Sequence, residues 1–182
     1  MHTLTITTQR LSLMPPAEAD SEAMLDYHRR NRLHLQPWEP RRDETFYTEA
    51  AMAARVGAMV EAMRAGSALH LLVRTAPDGP VIGEIGFTNI VRGAFQACHL
   101  GFSVCGEQQG EGLMHEALTG ALAAVFGDVG LHRVMANYRP ENARSARLLE
   151  RLGFEREGLA RAYLHIDGAW RDHVLTSLIG HG

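Results

Sequence analysis

The feature that most constrains this chain is one continuous stretch, residues 101–118, reading Gly-Phe-Ser-Val-Cys-Gly-Glu-Gln-Gln-Gly-Glu-Gly-Leu-Met-His-Glu-Ala-Leu. An apolar strand pattern runs into a glycine-bearing loop and then into a helix. From Leu113 onward, Leu113, Ala117, Leu118, Ala121, Leu122 and Val125 recur at three- and four-residue spacing, the period of a helix laying one face on a core. The helix starts near Gly110 and Gly112 with no Ser, Thr, Asp or Asn to take its first free N–H groups. Those donors, aided by the helix dipole, suit a phosphate or pyrophosphate, and the two glycines let such a group approach the backbone. Gly110-Glu111-Gly112 alone is a weak signal, because short Gly-x-Gly loops mostly just turn the chain.

A second stretch about thirty residues downstream, residues 142–158, reads Asn-Ala-Arg-Ser-Ala-Arg-Leu-Leu-Glu-Arg-Leu-Gly-Phe-Glu-Arg-Glu-Gly. Together the two resemble the acetyl-CoA site of the GNAT acetyltransferases, and within them the RimJ/RimL group of ribosomal-protein-alanine N-acetyltransferases, RimJ more than RimL. The resemblance extends to Leu35-Gln-Pro-Trp38-Glu-Pro40 and to the segment from Tyr163 to His173, and so spans nearly the whole chain. It implies acetyl-CoA as co-substrate, with contacts from Phe102, Ser103, Val104, Gln109, Gly110, Glu111, Gly112, Leu113, Met114, Asn142 and Ser145. It implies direct transfer to a protein N-terminal α-amine, the N-terminal alanine of a ribosomal protein. Two other functions stay open: acetylation of a small amine such as an antibiotic, polyamine or amino acid, and a non-catalytic acyl-CoA-binding module.

At 182 residues the chain is long enough for one domain, 1–182, with a substantial core. Net charge is −3 and the basic residues are scattered, so nothing suggests a surface for duplex DNA. Cys98 and Cys105 sit seven apart on what reads as one strand, too far along an extended segment to bond to each other, and read as free thiols of a reducing cytosol. No signal peptide opens the chain and no run of eighteen apolar residues occurs, so a cytoplasmic protein with no membrane partner is expected. The ten histidines form no His-Glu-x-x-His or Cys-x-x-Cys pattern, so no metal site is expected. Monomer and homodimer remain equally open.

In chain order, residues 3–13 alternate as a first strand stopped by Met14-Pro-Pro16, and residues 17–33 read as an amphipathic helix. Residues 34–42, carrying Pro37, Trp38 and Pro40, read as an irregular loop. Residues 43–65 read as one long helix with Asp43 in its first turn. Strands follow at 68–74, 81–89 and 96–105, then the helix after the glycine loop, a strand at 132–138, and a short helix opened by Asn142 and closed by Gly153. Residues 158–165 and 170–178 flank Asp167-Gly168, a strong two-residue hairpin signal. The order predicts an α/β domain, a mixed central sheet with helices on both faces. By resemblance this is the GNAT fold, whose parallel strands at 96–105 and 132–138 splay apart. The backbone amides and carbonyls so left unpaired would receive the two amides of a pantetheine arm.

Several residues carry two readings. Asn142 is either a ligand or simply a helix cap. By resemblance Ser145 protonates the departing CoA thiolate; otherwise its hydroxyl satisfies its own helix. Glu84, a charge inside the apolar run Val81-Ile-Gly-Glu-Ile-Gly-Phe87, is either a general base or an outward-facing strand residue. Trp38 and Tyr163 either wall the acceptor pocket or pack. The acceptor is expected to thread between residues 35–42 and the Asp167-Gly168 hairpin. RimL-like enzymes have a glutamate proposed as base near the last hairpin, where the nearest position here is Leu164, so that role does not carry over. An α-amine, with a reference pKa of about 7.7–8.0, is partly neutral at physiological pH, so a base is optional for an N-terminus and close to essential for lysine. Glu107 and Glu111 depart from the usual loop, and at exposed range each would cost about 1 kcal/mol against a pyrophosphate.

Overall fold

The computed structural model describes residues 4–180. Eight strands form one sheet in the order β1-β2-β3-β4-β5-β6-β8-β7. They are β1 Ile6–Thr7, β2 Ser12–Met14, β3 Leu69–Arg74, β4 Gly83–Val91, β5 Ala97–Val104, β6 Arg133–Tyr138, β7 Glu155–Ile166 and β8 Ala169–Ile179. Only β5 and β6 pair in parallel; every other neighbour is antiparallel. The helices are α1 Ser21–Arg30, α2 Arg32–Leu35, α3 Glu49–Arg64, α4 Leu113–Gly127 and α5 Ala143–Arg151.

Alternation along the central strands divides the core in two. Leu71 and Val73 of β3 pack with Ala117, Leu118 and Val125 of α4 and Leu149 of α5 on one face. Leu72, between them in sequence, packs with Met24 and Tyr27 of α1 and Met52 and Val56 of α3 on the other. The mixed sheet covered on both faces is thus as the sequence predicts. The last hairpin turns at Asp167-Gly168 with φ of 46° and 76°, the left-handed pair that a two-residue primed turn demands and that favours Gly second.

Four readings are corrected. The strand expected at 3–13, whose first residue lies outside the described region, is two short strands. Between them the Thr8 N–H donates to the Leu11 carbonyl at 2.9 Å, a turn made without Gly or Pro. The helix expected at 17–33 breaks at Asn31, whose buried side chain donates to the Tyr27 carbonyl at 2.9 Å and accepts from the Gly106 N–H at 3.0 Å. The loop expected at 34–42 is partly helical: α2 leads into a 3-10 turn at Gln36–Trp38. Pro37 occupies its first turn, where a missing N–H costs nothing. The helix expected at 43–65 is a 3-10 turn, Glu44–Tyr47, then a restart at α3. Asp43 caps the first by accepting from the Phe46 N–H, and Thr48 caps the second by accepting from the Ala51 N–H.

Candidate active site

Strands β5 and β6 lie side by side only from the Ala97–Arg133 pair to the Leu100–Ala136 pair. Beyond it β5 follows β4 to Val104 while β6 follows β8 to Tyr138, and a cleft of about 780 Å³ lies beside the parted end of β5. Phe102, Ser103 and Val104 line it from β5, Gln109, Gly110, Gly112, Leu113 and Met114 from the loop and first turn of α4, and Asn142 and Ser145 from the start of α5. The expected co-substrate residues are therefore brought together, with the exception of Glu111.

Gly112 stands at the start of α4 with φ of 76°, a left-handed conformation that a side chain would strain, and no side chain caps the helix behind it. Gly112, Leu113, Met114 and His115 line the cleft, so the helix's first N–H groups, which have no intrahelical partner, lie where an anion could be cradled. Arg144, Arg147 and Arg151 recur at three- and four-residue spacing along the cleft-lining side of α5 and add three cations to the wall. The parted strand β5 would suit a pantetheine arm, the uncapped start of α4 the pyrophosphate that follows it, and the arginines of α5 the further phosphate beyond.

Glu107 and Glu111 are exposed and form no part of the cleft wall. Arg10 pairs with Glu116 at 2.7 Å, donates to the Glu111 carbonyl at 3.0 Å and lies against Gly112. The repulsion expected of the two loop carboxylates is thus moderated by distance and by this guanidinium, which no local motif had marked.

Asn142 caps α5 by accepting the Ser145 N–H at 3.1 Å. Its carboxamide is thus the helix cap and fixes the turn that puts Ser145 in the cleft, whose wall Asn142 also joins. The Tyr27 and Ser103 hydroxyls meet at 2.9 Å, joining α1 to the cleft floor. Trp38 lines the cleft with the Arg139 guanidinium 5.5 Å from its ring centroid, while Arg139 also donates to the Pro37 carbonyl at 2.6 Å. Tyr163 lies instead beside Asn137 and His173 in the irregular part of β7 and lines neither this cleft nor the cavity next to it; His165, two residues on, lines the second.

That second cavity, of about 560 Å³, is walled by polar groups including His28, Arg32, Arg42, Tyr47 and His165. It shares Leu35 and Glu39 with the cleft. Residues 35–42 and the hairpin tip are bonded to each other, the Asp167 N–H donating to the Glu39 carbonyl at 3.0 Å and Gln36 Nε2 to Asp167 Oδ1 at 3.1 Å. The cavity therefore opens beside that junction, and the expected passage between the two segments is closed.

Glu84 is neither free nor outward-facing. Its Oε2 accepts from Arg55 at 2.7 Å, and its Oε1 lies 2.7 Å from His28 Nε2, off the line of a well-directed hydrogen bond. Burial alone would push this carboxyl up, but His28 and Arg55 outweigh burial and hold it at about 2, which makes a poor proton acceptor. Cys105 is buried in the α1/α3 core and is not part of the cleft wall, and burial pushes the Cys98 thiol up to about 12. Among the described residues no cluster of His, Cys, Asp and Glu could hold a metal ion, and no helix is long and apolar enough to cross a membrane.

Residues 10–155 match the acetyltransferase (GNAT) domain family. The chain is 46% identical to the [ribosomal protein uS5]-alanine N-acetyltransferase of Escherichia coli K12, over 95% of this chain and 89% of that protein. It superposes on the ribosomal-protein-S5-alanine acetyltransferase of Vibrio fischeri with a TM-score of 0.92, at 37% identity and 97% coverage of both chains. Mycobacterium smegmatis RimJ in complex with CoA-disulfide gives 0.89 at 30% identity, over 97% of this chain and 86% of that one. Glycine cradle, splayed strands and these likenesses agree: the chain belongs to the GNAT acetyltransferases, enzymes that use acetyl-CoA, and within them to the RimJ/RimL group.

Proposed function

We propose that this protein transfers the acetyl group of acetyl-CoA to the α-amine of a protein N-terminus, an alanine of a ribosomal protein, and does so in the cytoplasm where that acceptor is made. One observation carries the reading: the splayed-strand cleft shares Leu35 and Glu39 in its wall with a second, polar cavity of a size to take an extended peptide end. The relatives named above act on such an acceptor.

Acetyl-CoA, when bound, supplies the thioester carbonyl. The main chain of β5 at Phe102 and Val104, past the point where β6 leaves it, holds it and gives N–H donors to the oxygen that gains charge as the amine attacks; the Val104 carbonyl is already met by His34 Nε2 at 3.2 Å. The acceptor amine enters from the second cavity past Trp38 and Glu39, so both reactants are held together and no enzyme nucleophile is needed. Ser145, set by the Asn142 cap, donates its hydroxyl proton to the departing thiolate.

Peptides differing only in their first residue test the reading. Ala- and Ser-initiated peptides are expected to outrun Leu- and Phe-initiated ones, since overpacking a small pocket costs about 1–3 kcal/mol. Turnover confined to small amines, with every Ala-initiated peptide inert, would overturn it.

A further inference from the structure

Leu35 and Glu39 are the two residues lining both cavities, and only Glu39 can take a proton. Its main chain is fixed on both sides: its carbonyl accepts the Asp167 N–H, Pro40 follows it, and Trp38 before it is braced by Arg139. The other carboxylates nearby are engaged: Glu84 has one oxygen on Arg55 and the other against His28, Glu44 pairs with Arg32, and Asp43 accepts from the Thr45 hydroxyl and the Phe46 N–H. Glu39 feels His28 and Tyr27 from α1, Glu84 from β4, Arg42 and Tyr47 from its own irregular segment and Arg55 from α3, while His165 lines the same cavity from β7. Among the described residues no hydrogen bond or ion pair takes up its carboxylate, which stays available to a ligand.

We propose that Glu39 is the catalytic base of this acetyltransferase: its carboxylate receives the acceptor's ammonium at the junction of the two cavities and takes one proton from it. The nitrogen lone pair so freed attacks the thioester carbonyl carbon, the C–N bond forms and the C–S bond breaks. The second nitrogen proton leaves as the amide forms and replaces the one Ser145 gives to the thiolate, so the products are amide and CoA thiol. Glu39 returns its proton to water. Burial pushes the Glu39 carboxyl up, and Glu84 reinforces the rise, while His28, Arg42 and Arg55 oppose it. The group is thereby a stronger proton acceptor than a free carboxylate and a far stronger one than Glu84. This assignment rests on the cleft and cavity serving an amine acceptor as proposed above.

The test compares wild type, Glu39→Gln and Glu39→Asp, each checked for unchanged melting temperature and an unchanged melting shift with acetyl-CoA. With an Ala-initiated peptide at pH 7, Glu39→Gln is expected to lose about 100-fold or more in kcat/KM, while its acetyl-CoA KM stays within about twofold. That deficit should narrow from pH 7 to pH 9, because more of the amine, with a pKa of about 7.7–8.0, then arrives already neutral. Glu39→Asp should recover part of the rate. A loss below about threefold, a deficit independent of pH, or equal damage to acetyl-CoA binding would overturn the role. If wild type proves inert to peptides yet acetylates a small amine, the acceptor reading fails, and the same ratio measured with that amine decides Glu39. Wild type inert to peptides and amines alike would overturn both.

Discussion

The two cavities that meet at Glu39 are built from different materials. The cleft proposed for acetyl-CoA has, besides its arginines, main-chain features: an uncapped helix start, glycines at positive φ and a strand edge left free where β5 and β6 part. The acceptor cavity is mostly charged and aromatic side chains, carried by a segment of broken helical turns and backed by the His28–Glu84–Arg55 cluster. A main-chain site depends on φ and on empty space, and it tolerates Glu107 and Glu111 outside its wall. A side-chain site depends on each charge keeping its partner.

The contrast predicts different kinds of damage. Glu84→Ala should show the largest effect, about 3 kcal/mol of lost stability by denaturant unfolding at pH 7, because the buried His28 and the partly exposed Arg55 lose the anion they share. A carboxyl held at about 2 against an ordinary 4.5 adds stability above pH 4.5 that fades as pH falls toward 2. The gap between wild type and variant should therefore shrink over that window, and a gap unchanged down to pH 2 would mean the cluster does not hold Glu84 ionised.

Gly112→Asp should instead leave the fold's acceptor half intact and strike the cleft. Acetyl-CoA at a hundredfold excess over Kd adds about 2.7 kcal/mol to wild type, some 5–10 °C in melting temperature for a chain of this size. The variant should lose that shift, since it places a side chain at φ 76° and a negative charge at the helix start proposed to hold the phosphate. A retained shift would move the phosphate site elsewhere.

Ser145→Ala should be gentler: kcat about tenfold to a hundredfold lower with acetyl-CoA affinity nearly intact, because the lost proton donation belongs to the transition state. Rate and affinity falling together would assign Ser145 to binding.

The same division explains what could be read from the chain. The glycine loop, the helix period after it and the Asn142 to Ser145 turn are contiguous, so sequence spacing and three-dimensional spacing coincide. The Asp167-Gly168 turn was legible for the same reason. Residues 31–47 were not. Pro37 signals a break, yet a proline in a first turn also permits one, and Asn31 ends a helix through the Gly106 N–H, a partner 75 residues away. Glu84 looked like a lone charge in a strand because its partners lie on α1 and α3. The sequence places Tyr163 at the acceptor, but the register shift in β7 sets it beside His173 and leaves His165 on the cavity. Arg10 reaches the glycine loop from 101 residues away in sequence. Glu39 stood in plain view within Trp38-Glu-Pro40, and only its place in the walls of two cavities distinguishes it from any other glutamate in a turn.

The most direct test is to locate the acetyl group on a single peptide that begins with alanine and carries an internal lysine, incubated with acetyl-CoA near pH 7 and sequenced by fragmentation mass spectrometry. One acetyl group on the alanine α-amine, with the lysine unmodified, is the predicted result. Acetyl on the lysine, or on neither amine while small amines in the same mixture are acetylated, would contradict it.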